Sequence, residues 1–134
     1  LNNNITLIND AYNASYESMK ASILSLKNMN GNRKIAVLGD MFELGSFSEK
    51  LHRDVGIEVV KNKIDKLFVI GENAKFIAEE SINQGYDKEN VSYFTDRETL
   101  IKELKEFLKD GDVVLIKASN GMKLFEVADA IVKG

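Results

Sequence analysis

The chain predicts an α/β fold: three layers, with a Rossmann-like parallel sheet of five strands between helices. Three observations carry that prediction. Five short apolar runs alternate with five helix-period patterns along 134 residues. The connections between them are short, so consecutive strands should be joined by right-handed crossovers and lie parallel. The runs are nearly continuously apolar, as expected of strands covered on both faces.

The first strand is read over residues 5–9 and its helix over 15–29, with Met19, Ile23 and Leu26 on one side. Asn30-Gly31-Asn32 turns the chain. The second strand, residues 34–38, runs into Gly39-Asp40. Ser46 and Glu49 are spaced as a capping box for a helix carrying Leu51, Val55 and Val59. The third strand covers 67–70 and closes at Gly71. Asn73 is read as the cap of the next helix, Ile77, Ala78 and Ile82 as its inner face, and Gly85 as its stop. The fourth strand covers 91–94, and Thr95 with Glu98 reads as a second capping box. Leu100, Ile101, Leu104, Phe107 and Leu108 then form the clearest amphipathic stripe. The fifth strand covers 113–116, and the last helix buries Leu124, Val127, Ala128 and Ile131.

Bulk properties narrow the function. The length suits one domain, residues 1–134, and the 44% hydrophobic and 29% charged content is that of an ordinary globular protein. A net charge of -3 argues against a general nucleic-acid binder. No apolar run reaches the length of a membrane span, so no membrane partner is expected and a cytoplasmic setting is. With no cysteine, thiol nucleophiles, disulfides and thiolate metal sites are excluded; with one histidine, a zinc site is not expected. The chain opens at Leu1 and enters a strand almost at once, which reads as a fragment of a longer protein.

In such sheets ligands sit beyond the carboxyl ends of the strands. Three of the five strand-end corners are rich in functional groups. The first is Asn9-Asp10-Ala11-Tyr12-Asn13, where an acceptor, a ring and an amide stand together ahead of a helix N-terminus. The second is Gly39-Asp40-Met41-Phe42-Glu43-Leu44-Gly45; Asp40 there can hold a substrate amine or a metal-bound water, or cap a loop, and the sequence leaves these open. Glu43 reads as a solvated loop residue, and His52, near the start of the second helix, as a surface or satisfied one. The fifth is Lys117-Ala118-Ser119-Asn120-Gly121, with a cation for a carboxylate or phosphate. The third and fourth corners, Gly71-Glu72-Asn73 and Thr95-Asp96, read as plain turns and caps. The chain has no G-x-x-x-x-G-K-[ST] phosphate loop and no G-x-G-x-x-G after its first strand.

Asp10-Ala11-Tyr12-Asn13-Ala14 with Ser18-Met19, then Val37-Leu38-Gly39-Asp40-Met41-Phe42-Glu43-Leu44-Gly45 with His52 and Val55-Gly56, resembles the carboxyl-terminal domain of a Mur ligase. Ile116-Lys117-Ala118-Ser119-Asn120 with Met122 and Glu126-Val127 resembles the third segment of that domain. Two departures are visible: Ser15-Tyr16 stands where the family usually has Asn-Pro, and Ala118 and Asn120 stand where it usually has Gly and often Arg. The resemblance implies a strand order of 1-5-2-3-4, with an antiparallel edge strand contributed from upstream. It implies an ATP- and Mg-dependent ligase of peptidoglycan precursors, bacterial and cytoplasmic. That ligase would join D-Ala-D-Ala to UDP-N-acetylmuramoyl-tripeptide through an acyl phosphate. ATP and Mg would be bound mainly by a central domain outside this chain, so the fragment alone should be inactive, and a monomer is expected. By the same resemblance Asp10, Tyr12 and Asn13 would meet the nucleotide, and Asp40, Lys117, Ser119 and Asn120 the substrate side.

A second reading of the residues is a noncatalytic receiver-like signalling or binding domain. Asp10, Thr95 and Lys117 imitate a receiver's Asp, Thr and Lys after strands one, four and five. The third strand decides between the two, because Val69-Ile70-Gly71-Glu72 offers no phospho-accepting Asp at its end.

Overall fold

A computed structural model describes residues 4–133. Its strands are β1 (Thr6–Asp10), β2 (Lys34–Gly39), β3 (Lys66–Ile70), β4 (Val91–Phe94) and β5 (Val113–Lys117). Its α-helices are α1 (Tyr16–Asn28), α2 (Ser48–Lys61), α3 (Lys75–Asn83), α4 (Arg97–Phe107) and α5 (Phe125–Lys133). Each strand is followed by one helix. The sheet is wholly parallel, in the order β1-β5-β2-β3-β4, as the resemblance implied. The implied upstream strand lies outside the described residues, among which β1 pairs only with β5.

The period of two along each strand splits the core. Ala36, Leu38, Leu67, Val69, Val113 and Leu115 face Met19, Ile23 and Leu26 of α1, Val55 and Val59 of α2, and Ile77 of α3. Ile35, Val37, Phe68, Ile70, Val114 and Ile116 face Leu100 and Leu104 of α4 and Val127, Ala128 and Ile131 of α5. Helices α1, α2 and α3 thus cover one face, and α4 and α5 the other. Because β5 returns between β1 and β2 and then leads to the opposite face, the carboxyl edge of the sheet parts there, the usual place for a ligand crevice.

Three expected caps differ from the structure. A 3₁₀ turn, Gly45–Phe47, precedes α2, whose N-cap is Phe47 without a side-chain bond; Glu49 instead pairs with Arg53 at 2.9 Å. The Ser46–Glu49 spacing does not cap because the helix starts two residues beyond Ser46. At α4 the cap is Asp96, not Thr95: its carboxylate accepts from the Thr99 amide at 2.8 Å, which with the Thr99 hydroxyl holds its pKa below the usual range. At α3 the position expected for Asn73 is filled from another strand, as described below. One cap was not foreseen. Ser15 and Ser18 bond reciprocally at the start of α1, so Ser15 does the capping at the site of the family's usual Asn.

Candidate functional site

The corners after β1, β5, β2 and β3 are tied to one another in that order by polar contacts. Lys117 ends β5 in register with Asp10 at the end of β1. Its parity matches Val113 and Leu115, so the side chain turns toward α1. There the Lys117 ammonium donates to Asp10 Oδ2 at 2.6 Å and to the carbonyl of Asn13 at 3.0 Å. Ser22 of α1 adds a third contact, donating to Asp10 Oδ2 at 3.2 Å. Lys117 is 2% exposed, whereas the Asp10 side chain is 42% exposed. The pair therefore presents a carboxylate to solvent and hides the cation beneath it.

The β5 corner is stitched to the β2 corner next. The Ser119 amide donates to the Asp40 carbonyl at 3.0 Å, and the Phe42 amide donates to Ser119 Oγ at 2.8 Å. Gly121 lies flat against Phe42; a Cβ there would press on the ring. Asn120 is exposed on the turn that follows, the 3₁₀ segment Asn120–Met122.

Asp40 reaches the other way, toward β3. Its Oδ1 accepts the amides of Asn73 at 3.0 Å and Ala74 at 2.7 Å, so this carboxylate caps the start of α3. Gly71 has φ +122, and a Cβ there would overlap Asp40 Oδ1. Of the roles left open for Asp40, loop capping is what the geometry displays. Its side chain is buried.

His52 is fully buried under the β2 corner. Its Nδ1–H donates to the Ser48 carbonyl at 2.7 Å, which leaves Nε2 to accept the Met41 amide at 3.0 Å. Burial pushes its pKa below the usual 6.5, against the opposing pull of the Ser48 carbonyl and the Asp40 charge. A neutral ring is what the Met41 contact requires. Sequence reasoning missed this role; the signal was a histidine spaced eleven residues after Met41 on a helix facing the same loop. Glu43, at φ +63, and Gly45, at φ +56, give that loop its two left-handed turns.

The expected constellation is therefore gathered at one edge, but its members differ in access. Tyr12, Asn13 and Asn120 are exposed, Asp10 is half-buried, and Asp40, Lys117 and Ser119 are buried. The Tyr12 ring is 59% exposed and its hydroxyl lies 3.4 Å from the Asn9 amide nitrogen.

Corners three and four are a turn and a cap, as expected. A groove of about 690 Å³ opens there, lined by Ile70, Gly71, Thr95–Glu98, Ile101, Gly121, Met122 and Glu126. It lies on the α4–α5 face, where strand parity sends Ile70 and not a charged side chain. Among the described residues, no group of three or more His, Asp or Glu side chains is placed to hold a metal ion, and no helix is long and apolar enough to cross a membrane.

The strand order removes the receiver-like reading. In the flavodoxin-like order of receivers the first strand is interior, whereas β1 here is an edge among the described residues, and β3 ends in Ile70-Gly71 without a carboxylate.

Comparison with known proteins agrees. Residues 1–120 match the family Mur ligase, glutamate ligase domain. A UDP-N-acetylmuramoyl-tripeptide--D-alanyl-D-alanine ligase of Bacillus subtilis is 41% identical over 130 residues, 96% of this chain and 28% of that protein. The crystal structure of a MurF ligase from Thermotoga maritima in complex with ADP superposes with a TM-score of 0.80 at 29% identity, over 97% of this chain and 28% of that one. A MurF from Acinetobacter baumannii superposes at 0.83 with 22% identity, over all of this chain and 29% of that one, and shows the shared fold. The chain spans little more than a quarter of the length of these relatives. Fold, motifs and family match coincide, and the chain belongs to the Mur ligase family, as its glutamate ligase domain.

Proposed function

We propose that this chain is the carboxyl-terminal domain of a bacterial, cytoplasmic ligase that joins D-Ala-D-Ala to UDP-N-acetylmuramoyl-tripeptide. The observation that carries the proposal is the stitched carboxyl edge, in which the β1, β5 and β2 motifs meet, together with 41% identity to a ligase of that name. ATP supplies the γ-phosphoryl group that activates the tripeptide carboxylate. The dipeptide amine then attacks the acyl carbon; a C–N bond forms, the bond to the phosphate oxygen breaks, and the amine gives up a proton.

The residues present fit one end of ATP and not the other. The open Tyr12 ring suits a base face, and the half-exposed Asp10 carboxylate and Asn13 suit ribose or base hydrogen bonds. A triphosphate finds no phosphate loop here, and the Lys117 charge is already taken by Asp10. The triphosphate and Mg are accordingly assigned to a central domain outside this chain. Asp40, Lys117 and Ser119 shape the substrate side from beneath by fixing its loops, and Asn120 faces it directly. Closing this edge over the reactants excludes the water that would hydrolyse the acyl phosphate. The domain acts as one part of a monomeric enzyme and is inactive alone.

The test is phosphate release by a full-length ligase carrying this domain. Release should require ATP, the UDP-linked tripeptide and D-Ala-D-Ala together. Release that ignores the dipeptide, or that proceeds equally with a single amino acid, contradicts the proposal. Near-wild-type kinetics in both Asp10→Ala and Asp40→Ala would remove the residue assignments.

A further inference from the structure

On the ligase reading, we infer that His52 is a positioning residue for the reaction: it holds the loop of residues 41–47 in the shape that borders the dipeptide side of the site.

The ring closes this loop from beneath. Its Nε2 accepts the Met41 amide at 3.0 Å and its Nδ1–H donates to the Ser48 carbonyl at 2.7 Å, so one side chain ties both ends. His52 is fully buried, and so is Met41. An apolar residue of the same size would leave the Met41 amide without its acceptor, which a buried N–H tolerates poorly.

The loop needs such a tie. Met41 and Leu44 pack on the core and fix where the apolar side chains go. They do not fix the backbone, which takes the left-handed conformation at Glu43, φ +63, and at Gly45, φ +56. A non-glycine residue in that region is uncommon and is held there by its surroundings. Ser119 grips the loop from its other side, accepting the Phe42 amide at 2.8 Å. Between the two grips Phe42 turns outward, 43% exposed, with its ring against Gly121. The loop therefore stands beside the 3₁₀ turn that bears Asn120, on the substrate side, whereas Tyr12 and Asp10 of the nucleotide side belong to another corner. Displacing the loop should be felt by the dipeptide and not by ATP.

The experiment uses the full-length ligase with His52→Gln, His52→Asn, Gly45→Val and, as a control, Asn62→Ala. A Gln side chain reaches as far as Nε2 and can accept the Met41 amide; an Asn side chain reaches only as far as Nδ1 and cannot. His52→Asn should raise the KM for D-Ala-D-Ala at least fivefold, with the KM for ATP and for the UDP-linked tripeptide within twofold. His52→Gln should restore most of that loss. Gly45 faces open space, so Gly45→Val strains the loop backbone without disturbing the core, and should raise the same KM at least threefold even where His52→Asn does not fold. Asn62 bonds the Glu58 carbonyl at the far end of α2, so Asn62→Ala should lower Tm and leave all three KM values in place. His52→Gln no better than His52→Asn, three KM values rising together, or Gly45→Val with the wild-type KM for the dipeptide overturns the inference and leaves the ligase reading standing. Wild-type turnover that does not depend on the dipeptide overturns both.

Discussion

The two faces of the sheet's carboxyl edge are finished in opposite ways. On the α1–α3 face the charged groups are consumed within the protein: Lys117 by Asp10 and Asn13, Asp40 by the α3 amides, His52 by Ser48 and Met41. On the α4–α5 face a groove stays open, and Arg97 is held there by two long contacts. The difference follows from strand parity. Lys117 continues the row of Val113 and Leu115, which packs on α1, so a long cation at that position is buried beneath its half-exposed partner. Ile116 and Ile70 continue the other row, which ends in apolar groove wall. The closed face fixes the motif loops, and on the other face a groove stays open beside them.

If that contrast is right, stability should be sensitive on the closed face and indifferent on the open one. The largest effect is expected at Asp10. Asp10→Ala strands a buried ammonium and should cost about 3 kcal/mol in denaturant unfolding, while Lys117→Met leaves only a half-exposed carboxylate and should cost about 1 kcal/mol. Equal costs would contradict the burial asymmetry. Asp40→Ala removes the acceptor of two amides and should cost about 2 kcal/mol, with Asp40→Asn losing less.

His52 should show itself through pH. Its folded pKa is lowered, so between that value and 6.5 the unfolded chain binds the extra proton. The stability it contributes is full above 6.5 and is lost as pH falls below it, by at most about 1.4 kcal/mol per pH unit. His52→Gln should flatten that slope below pH 6.5. The smallest effect belongs to the open face. Arg97→Gln should shift stability by less than about 0.5 kcal/mol, as exposed ion pairs do. A larger loss would make Arg97 a structural residue.

How much of this was legible in the sequence depends on range. Apolar period and Gly, Asn and Asp punctuation located all five strands and helices, because those signals are local. The Ser15–Ser18 box was equally local but used a Ser where the template expects Glu or Gln. Asp40 was out of reach: its cap serves a helix 35 residues downstream, and no spacing rule predicts a cap donated from a neighbouring strand. Lys117 was found as a residue, but its partner lies 107 residues away, so its burial was not readable. The Arg97 groove was missed because its lining comes from three corners, two of which carry ordinary turn chemistry.

Hydrogen–deuterium exchange of the full-length ligase, alone and with ADP, the UDP-linked tripeptide and D-Ala-D-Ala, tests most directly whether this sheet edge is the site. Residues 10–15, 40–45, 95–98 and 118–122 should slow on addition of the ligands, while the turns at the opposite edge, residues 29–33, 62–65 and 108–112, should not change. Slowing at the opposite edge with the four carboxyl-edge segments unaffected would contradict it.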